Sequence, residues 1–154
     1  MPRITPFLWF NDQAEEAMHY YISIFKNGKV LNVHRANGKI LTVTFELDGQ
    51  RIMALNGGPL FNFTEAISLF VDCETQEEVD ELWEKFSAGG GKPGRCGWLK
   101  DRYGLSWQII PKALMQLLND PDPEKSQAVM QAMLKMNKIV IADLRKAHEG
   151  KTAA

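Results

Sequence analysis

The side chains best able to do chemistry in this sequence are few and scattered. It holds three histidines (His19, His34, His148) and two cysteines (Cys73, Cys96). A bound divalent metal needs imidazole nitrogens, thiolates or carboxylates converging on one point, and a nucleophilic cysteine needs a base within hydrogen-bond reach. No histidine has a second in ligand geometry, so each is expected to be structural or solvated. His19 falls on the first helix, His34 in a strand near a turn, and His148 in a frayed tail. Both cysteines sit among apolar or glycine neighbours and read as inert buried thiols; nothing in the spacing recommends a Cys96–His34 pair. Glu46 is the candidate catalytic group: buried without a partner, a carboxylate has a raised pKa and can serve as a general base, whereas exposed on its strand it is an ordinary solvated charge. Asp101 is expected to cap the turn it opens. Lys92, Arg95, Lys100 and Arg102 form the densest basic stretch, read as a solvated hairpin rather than an anion site. With a net charge of −1 there is no electrostatic footprint for nucleic acid.

The elements that must position these residues come from an internal repeat. Leu8-Trp9-Phe10-Asn11 is matched by Leu69-Phe70-Val71-Asp72, and Ala14-Glu15-Glu16-Ala17 by Gln76-Glu77-Glu78-Val79. Each copy is a short apolar strand, a turn, and an acid-started helix with apolar residues three and four apart. Asp12 and Thr75 are the expected N-caps, the second with Glu78 completing a capping box. Strands are expected at 29–35, 40–47 and 50–56, around turns at Asn37-Gly38 and Asp48-Gly49, the strongest short hairpin signals available. Shorter strands are expected at 91–95, 97–101 and 105–110. Beyond Pro111 a short helix over 112–118 is followed by the Asn119–Pro123 breaker. A longer helix then carries Val129, Met133, Met136 and Val140 along one stripe.

The chain is therefore read as α+β: two paired βαβββ modules with C-terminal helices. One domain spans 1–154, with module one at about 1–58, module two at about 64–111 and a helical extension at about 112–150. Its 154 residues, 45% apolar and 24% charged, suffice to bury a core without disulfide staples. The apolar N-terminal stretch is too short for a signal peptide or a membrane span, so no membrane partner and a cytoplasmic location are expected.

The phrases ITPFLWF…AEEAMHYYISIF, FELDGQRIMALNGGP, GWLKDRYGLSWQIIP and the tail PDPEKSQAVMQAMLKM together resemble the PhnB-like branch of the glyoxalase/bleomycin-resistance (vicinal oxygen chelate) superfamily. Its members have been labelled 3-demethylubiquinone methyltransferase-like. The resemblance implies the paired βαβββ fold and a homodimer. It also implies that metal-using members take His or Glu ligands from the first and last strand of each module. Those positions fall here at Thr5, Ala66, Gln108 and, within Met53–Asn56, at Asn56. None is an imidazole or a carboxylate, so no metal is expected. The methyltransferase label meets a physical objection: Gly89-Gly90-Gly91 follows a helix and precedes a hairpin, without the strand–loop–helix context of a nucleotide-binding loop.

What remains is a cleft. Strand alternation places Thr5, Phe7 and Trp9 on one face of the first strand, and Ala66, Ser68 and Phe70 on the matching face of its repeat. Thr44, Glu46, Asn56 and Gln108 add polar groups. Aromatic walls with a few amides, hydroxyls and a carboxylate suit a small, partly apolar ligand. The leading reading is a metal-free small-molecule-binding protein with no cofactor. The alternatives are an acid/base enzyme using Glu46 or a bound cofactor and an enzyme holding a divalent metal through other ligands. The same aromatics, as plain core, would bind nothing.

Overall fold

Leu8 and Phe10 are buried at 5% and 2% exposure while Phe7 is 49% exposed and Trp9 half-buried, so the first strand has one dry face and one more open one. The computed structural model describes residues 3–150; the outer ends of the expected spans, 1–2 and 151–154, lie outside it. The chain forms two compact units that divide between Phe63 and Thr64. In the first unit the order is β1 (Phe7–Phe10), α1 (Ala14–Ile24), β2 (Gly28–Ala36), β3 (Lys39–Leu47) and β4 (Gln50–Asn56). The second repeats it with β5 (Ser68–Cys73), α2 (Gln76–Ala88), β6 (Lys92–Pro93), β7 (Trp98–Lys100) and β8 (Ser106–Pro111).

Both sheets have the same topology. The strand orders are β1-β4-β3-β2 and β5-β8-β7-β6, with the first and last strand of each module parallel and the other pairs antiparallel. This is the βαβββ unit twice, as the repeat implied. The hairpins of the first unit turn where the sequence placed them. Asn37 and Gly38 have φ of 53° and 75°, and Asp48 and Gly49 have 48° and 86°, the paired left-handed residues of tight hairpin turns.

Each helix buries a stripe spaced by three and four residues against its own sheet. On α1 the stripe is Ala14, Ala17, Met18, Tyr21 and Ile24; on α2 it is Val79, Leu82 and Phe86. Tyr21 stacks on Phe45 with centroids 6.3 Å apart, and Phe86 meets Trp107 at 4.9 Å. Thr75 caps α2 as expected, while the Glu78 carboxylate reaches past the N-cap amide to the residue before it. Thr75 Oγ1 accepts from Glu78 N at 3.2 Å, and the Glu78 carboxylate accepts from Glu74 N at 2.9 Å. Asp12 does not cap α1. The N-cap position is Gln13, and the free N–H of Ala14 donates to Asn56 Oδ1 at 2.8 Å.

After β8 come α3 (Lys112–Leu118), α4 (Pro123–Met133) and α5 (Ile141–His148). The expected long helix is thus two helices with a break at 134–140. The break is held from outside. Cys96 N and Gly97 N donate to Met136 O and Asn137 O at 2.8 Å each. The Gln76 side chain donates to Ile139 O and accepts from Ile141 N, which starts α5. Leu114, Val129, Ile139 and Leu144 close over Ile110 in one cluster, with Met133 and Met136 packed at its edge. His148 belongs to α5 rather than to a frayed tail, and its Nε2 lies 2.7 Å from Asp120 Oδ2.

Candidate functional site

In the first unit, α1 covers the face bearing Leu8, Phe10, Val43, Phe45, Ile52 and Ala54. Alternation sends their neighbours to the other face, and the register arranges these in rows. Trp9 stands beside Leu55, then Thr42, then His34. Phe7 stands beside Met53, then Thr44, then Asn32. Each row runs from aromatic and apolar on β1 and β4 to polar on β3 and β2. Such a surface can hold the apolar end of a molecule against β1 and hydrogen-bond its other end at Thr42 or Thr44.

Trp9 is fixed in this surface by three contacts. Its Nε1 donates to Gly58 O at 3.0 Å, and its ring meets Phe61 edge-on with centroids 4.9 Å apart. The ring also lies flat over Gly57, where a Cβ would come within 2.3 Å of it. The 57–61 segment therefore sets the ring's angle, a role invisible in strand periodicity.

Glu46 is not the unpartnered carboxylate that a general base requires. Its Oε2 lies 3.4 Å from Lys29 Nζ, Arg51 is its neighbour across the β3–β4 pair, and its side chain keeps 25% exposure. Asn56 parts from the group expected around it. It pairs with Phe10 and so lies on the α1 side, where its amide is committed to Ala14 N–H and, through Nδ2, to Ile40 O at 3.3 Å. A strand-end amide serves the α1 N-terminus in place of the local cap Asp12. Thr5 and Ala66 both precede the strands they were expected to begin.

In the second unit, Ser68, Phe70 and Gln108 do share the face opposite α2, with Phe70 and Gln108 in register. Gln108 Nε2 donates to Ser68 Oγ at 2.9 Å, so two of the expected residues act as one polar pair. Sequence reading missed their neighbours. Ser68, Ser106, Lys100 and Lys92 form one row, and Phe70, Gln108 and Trp98 the next. The basic stretch is therefore divided. Arg95 and Arg102 are exposed as a solvated hairpin would have them, while Lys92 and Lys100 stand on the same face as Gln108.

Asp101 caps its turn. Oδ1 accepts from Tyr103 N at 2.8 Å and Leu105 N at 3.1 Å, and Oδ2 accepts from Trp107 Nε1 at 2.9 Å. Burial pushes the Cys73 thiol up to about 12, out of the range of a nucleophile. Among the described residues no group of three His, Cys, Asp or Glu is arranged to hold a metal. The positions that the family resemblance marks as ligands carry Thr5, Ala66, Gln108 and an Asn56 already engaged, a neutral set that does not fit a divalent ion. His19 and His34 are exposed on α1 and β2.

The family model described as 3-demethylubiquinone-9 3-methyltransferase matches residues 2–110. The match ends before α3, so the PDPEKSQAVMQAMLKM phrase lies outside it. Among solved structures, the chain is similar to the PhnB protein of Bacillus cereus, described in the same methyltransferase terms. The identity is 36% and the TM-score 0.66, over 71% of this chain and 99% of that one. Two more distant structures share the fold. Protein PA1353 of Pseudomonas aeruginosa has 20% identity and a TM-score of 0.57, over 70% of this chain and 95% of that one. The fosfomycin resistance protein FosX of Listeria monocytogenes, solved with Mn(II) and sulfate, has 18% identity and a TM-score of 0.52, over 69% and 86%. No curated protein matches the chain.

Proposed function

We propose that this chain, which belongs to the 3-demethylubiquinone-9 3-methyltransferase (PhnB-like) family of the glyoxalase/bleomycin-resistance superfamily, is a metal-free small-molecule-binding protein. In this proposal each unit offers the sheet face that its own helix leaves uncovered, with Phe7, Trp9 and Thr44 as the contacts in the first unit and Ser68, Phe70 and Gln108 as those in the second. The observation that carries it is the fixing of Trp9. A plain core aromatic needs only to fill space, whereas this ring is oriented by Gly57, Gly58 and Phe61 and lies in a row that ends in the polar pair Thr42 and His34. Acid/base catalysis by Glu46 draws no support from a carboxylate ion-paired to Lys29. The methyltransferase description finds no nucleotide loop: Gly89–Gly91 closes α2, and a Cβ on Gly91 would lie 2.5 Å from Phe86 O.

A homodimer and a cytoplasmic location belong to the same proposal. Leu60 and Phe61 in the first unit, at 71% and 58% exposure, and Ile67 in the second, at 55%, are apolar side chains that a partner copy would cover. No helix among the described residues is long and apolar enough to cross a membrane. Native mass spectrometry of freshly purified protein tests the central point. A co-purifying small molecule, with flat apolar compounds raising Tm in wild type but less in Trp9→Phe, is the expected result. Shifts that ignore Trp9 while the variant stays folded would make it core.

A further inference from the structure

Lys92, Lys100, Ser106 and Ser68 line up across four neighbouring strands on the face opposite α2. Directly opposed like charges on an antiparallel pair destabilise the sheet. Glu65 Oε2, 3.1 Å from Lys100 Nζ, offsets one of the two, and Lys92 has no ion pair with a described residue. Beside them, Ser106 is 1% exposed, and its Oγ has no hydrogen-bond partner among the described residues. A buried hydroxyl left unpaired costs free energy, so the position has a use for it other than stability. Lys92, Lys100 and Ser106 line one cavity of about 320 Å³, together with Glu65, Trp98 and Gly94.

We propose that this cavity binds the oxyanion group of a small molecule, a carboxylate or a phosphate, with the apolar body of the molecule against Trp98. Lys92 and Lys100 neutralise the anion and Ser106 Oγ donates to it. Ammonium groups and hydroxyls are the donors that an anionic oxygen accepts from most strongly. Glu65 is the internal competitor, holding Lys100 until the ligand's anion displaces it. The proposal rests on the binding role above and gives it a ligand class.

The test compares phenyl phosphate and benzoate with neutral benzamide, titrated into the full chain by calorimetry at low salt, with inorganic phosphate as a fourth probe. The anionic probes should bind more tightly than benzamide. Lys100→Gln and Lys92→Gln should each weaken the anions by about tenfold and leave benzamide unchanged, the loss of one charge-assisted contact. Glu65→Gln should tighten the anions. Ser106→Ala separates a ligand role from a structural one: it should weaken anion binding while leaving the melting temperature of the free protein unchanged or raised. If benzamide binds in a Trp9-dependent way but no Lys or Glu65 variant alters the anions, the oxyanion site is wrong and the binding role stands. Lys100-dependent binding of inorganic phosphate without any aromatic probe would keep the site and refute the broader role. No binding by any of the four overturns both.

Discussion

Gly57→Ala is the sharpest test of how the candidate site is built. Gly57 does not occupy the left-handed region, so alanine suits its backbone, and the substitution by itself should stabilise by about 0.4–1 kcal/mol through the unfolded chain. The new Cβ, however, would stand 2.3, 2.4 and 2.6 Å from Cζ2, Cε2 and Cη2 of Trp9. The ring must leave. It then gives up the hydrogen bond to Gly58 O, worth about 1 kcal/mol, and the edge contact with Phe61, worth about 0.5–1.5 kcal/mol. Adding the packing lost around a half-buried indole, the net effect is a destabilisation of about 2 kcal/mol. In a Trp9→Ala background the obstacle is gone, and the same Gly57→Ala change should be neutral or stabilising by a few tenths of a kcal/mol. The measurement is urea unfolding of the four proteins, with a coupling of about 2 kcal/mol expected between the two positions. Equal losses in both backgrounds would show that the ring does not lie on Gly57.

Four further outcomes follow from the same geometry. Asp101→Asn puts an amide donor against Trp107 Nε1–H and should cost about 2 kcal/mol in urea unfolding, with Trp107→Phe cancelling part of that cost; strict additivity would refute the pairing. In the native protein an aromatic disulfide reagent should label Cys96 and reach Cys73 only on denaturation, because burial both shields that thiol and holds it protonated; equal native rates would contradict this. Elemental analysis should find less than stoichiometric Zn, Ni, Mn or Fe, and one tightly held ion per chain, removed by a chelator with loss of structure, would refute the neutral ligand set. Light scattering at micromolar concentration should report a dimer, and a monomer would overturn that assignment.

How far the fold was legible follows from where its instructions are local. Asn37-Gly38 and Asp48-Gly49 carry their turn geometry in two residues, and the pairing of β3 with β4 is counted outward from the second, whereas β2 keeps count with β3 only as far as Arg35, where the register shifts. The two helices and α3 were equally local, each written as a stripe on one face. The break at 134–140 was not. Nothing within Leu134–Val140 forbids a helix. It ends there because Cys96, Gly97 and Gln76, distant in sequence, take carbonyl and amide groups that a continuous helix would have used. The capping of α1 by Asn56 failed to show for the same reason: Asp12 is the better local cap, and a long-range amide displaced it.

The candidate site divides along the same line. Phe7 and Trp9 were legible because alternation on a single strand separates them from Leu8 and Phe10. The lysine row was not, because it depends on register across four strands, and β6 and β7 are joined by Gly94-Arg95-Cys96-Gly97, whose irregular path no turn signal encodes. That register is set by backbone bonds, Gly94 N to Trp98 O and Ile109 N to Gly97 O, both at 2.8 Å. Read along the chain, Lys92, Arg95, Lys100 and Arg102 are four members of one basic stretch. Read across the sheet, two of them leave it to join Ser106 and Ser68, while Arg102 turns to the Tyr103 ring at 5.6 Å. A charge run thus conceals a site when the sheet sends alternate members to opposite environments. The residue that betrays it is a small one, Ser106, whose buried hydroxyl gains nothing from the fold that encloses it.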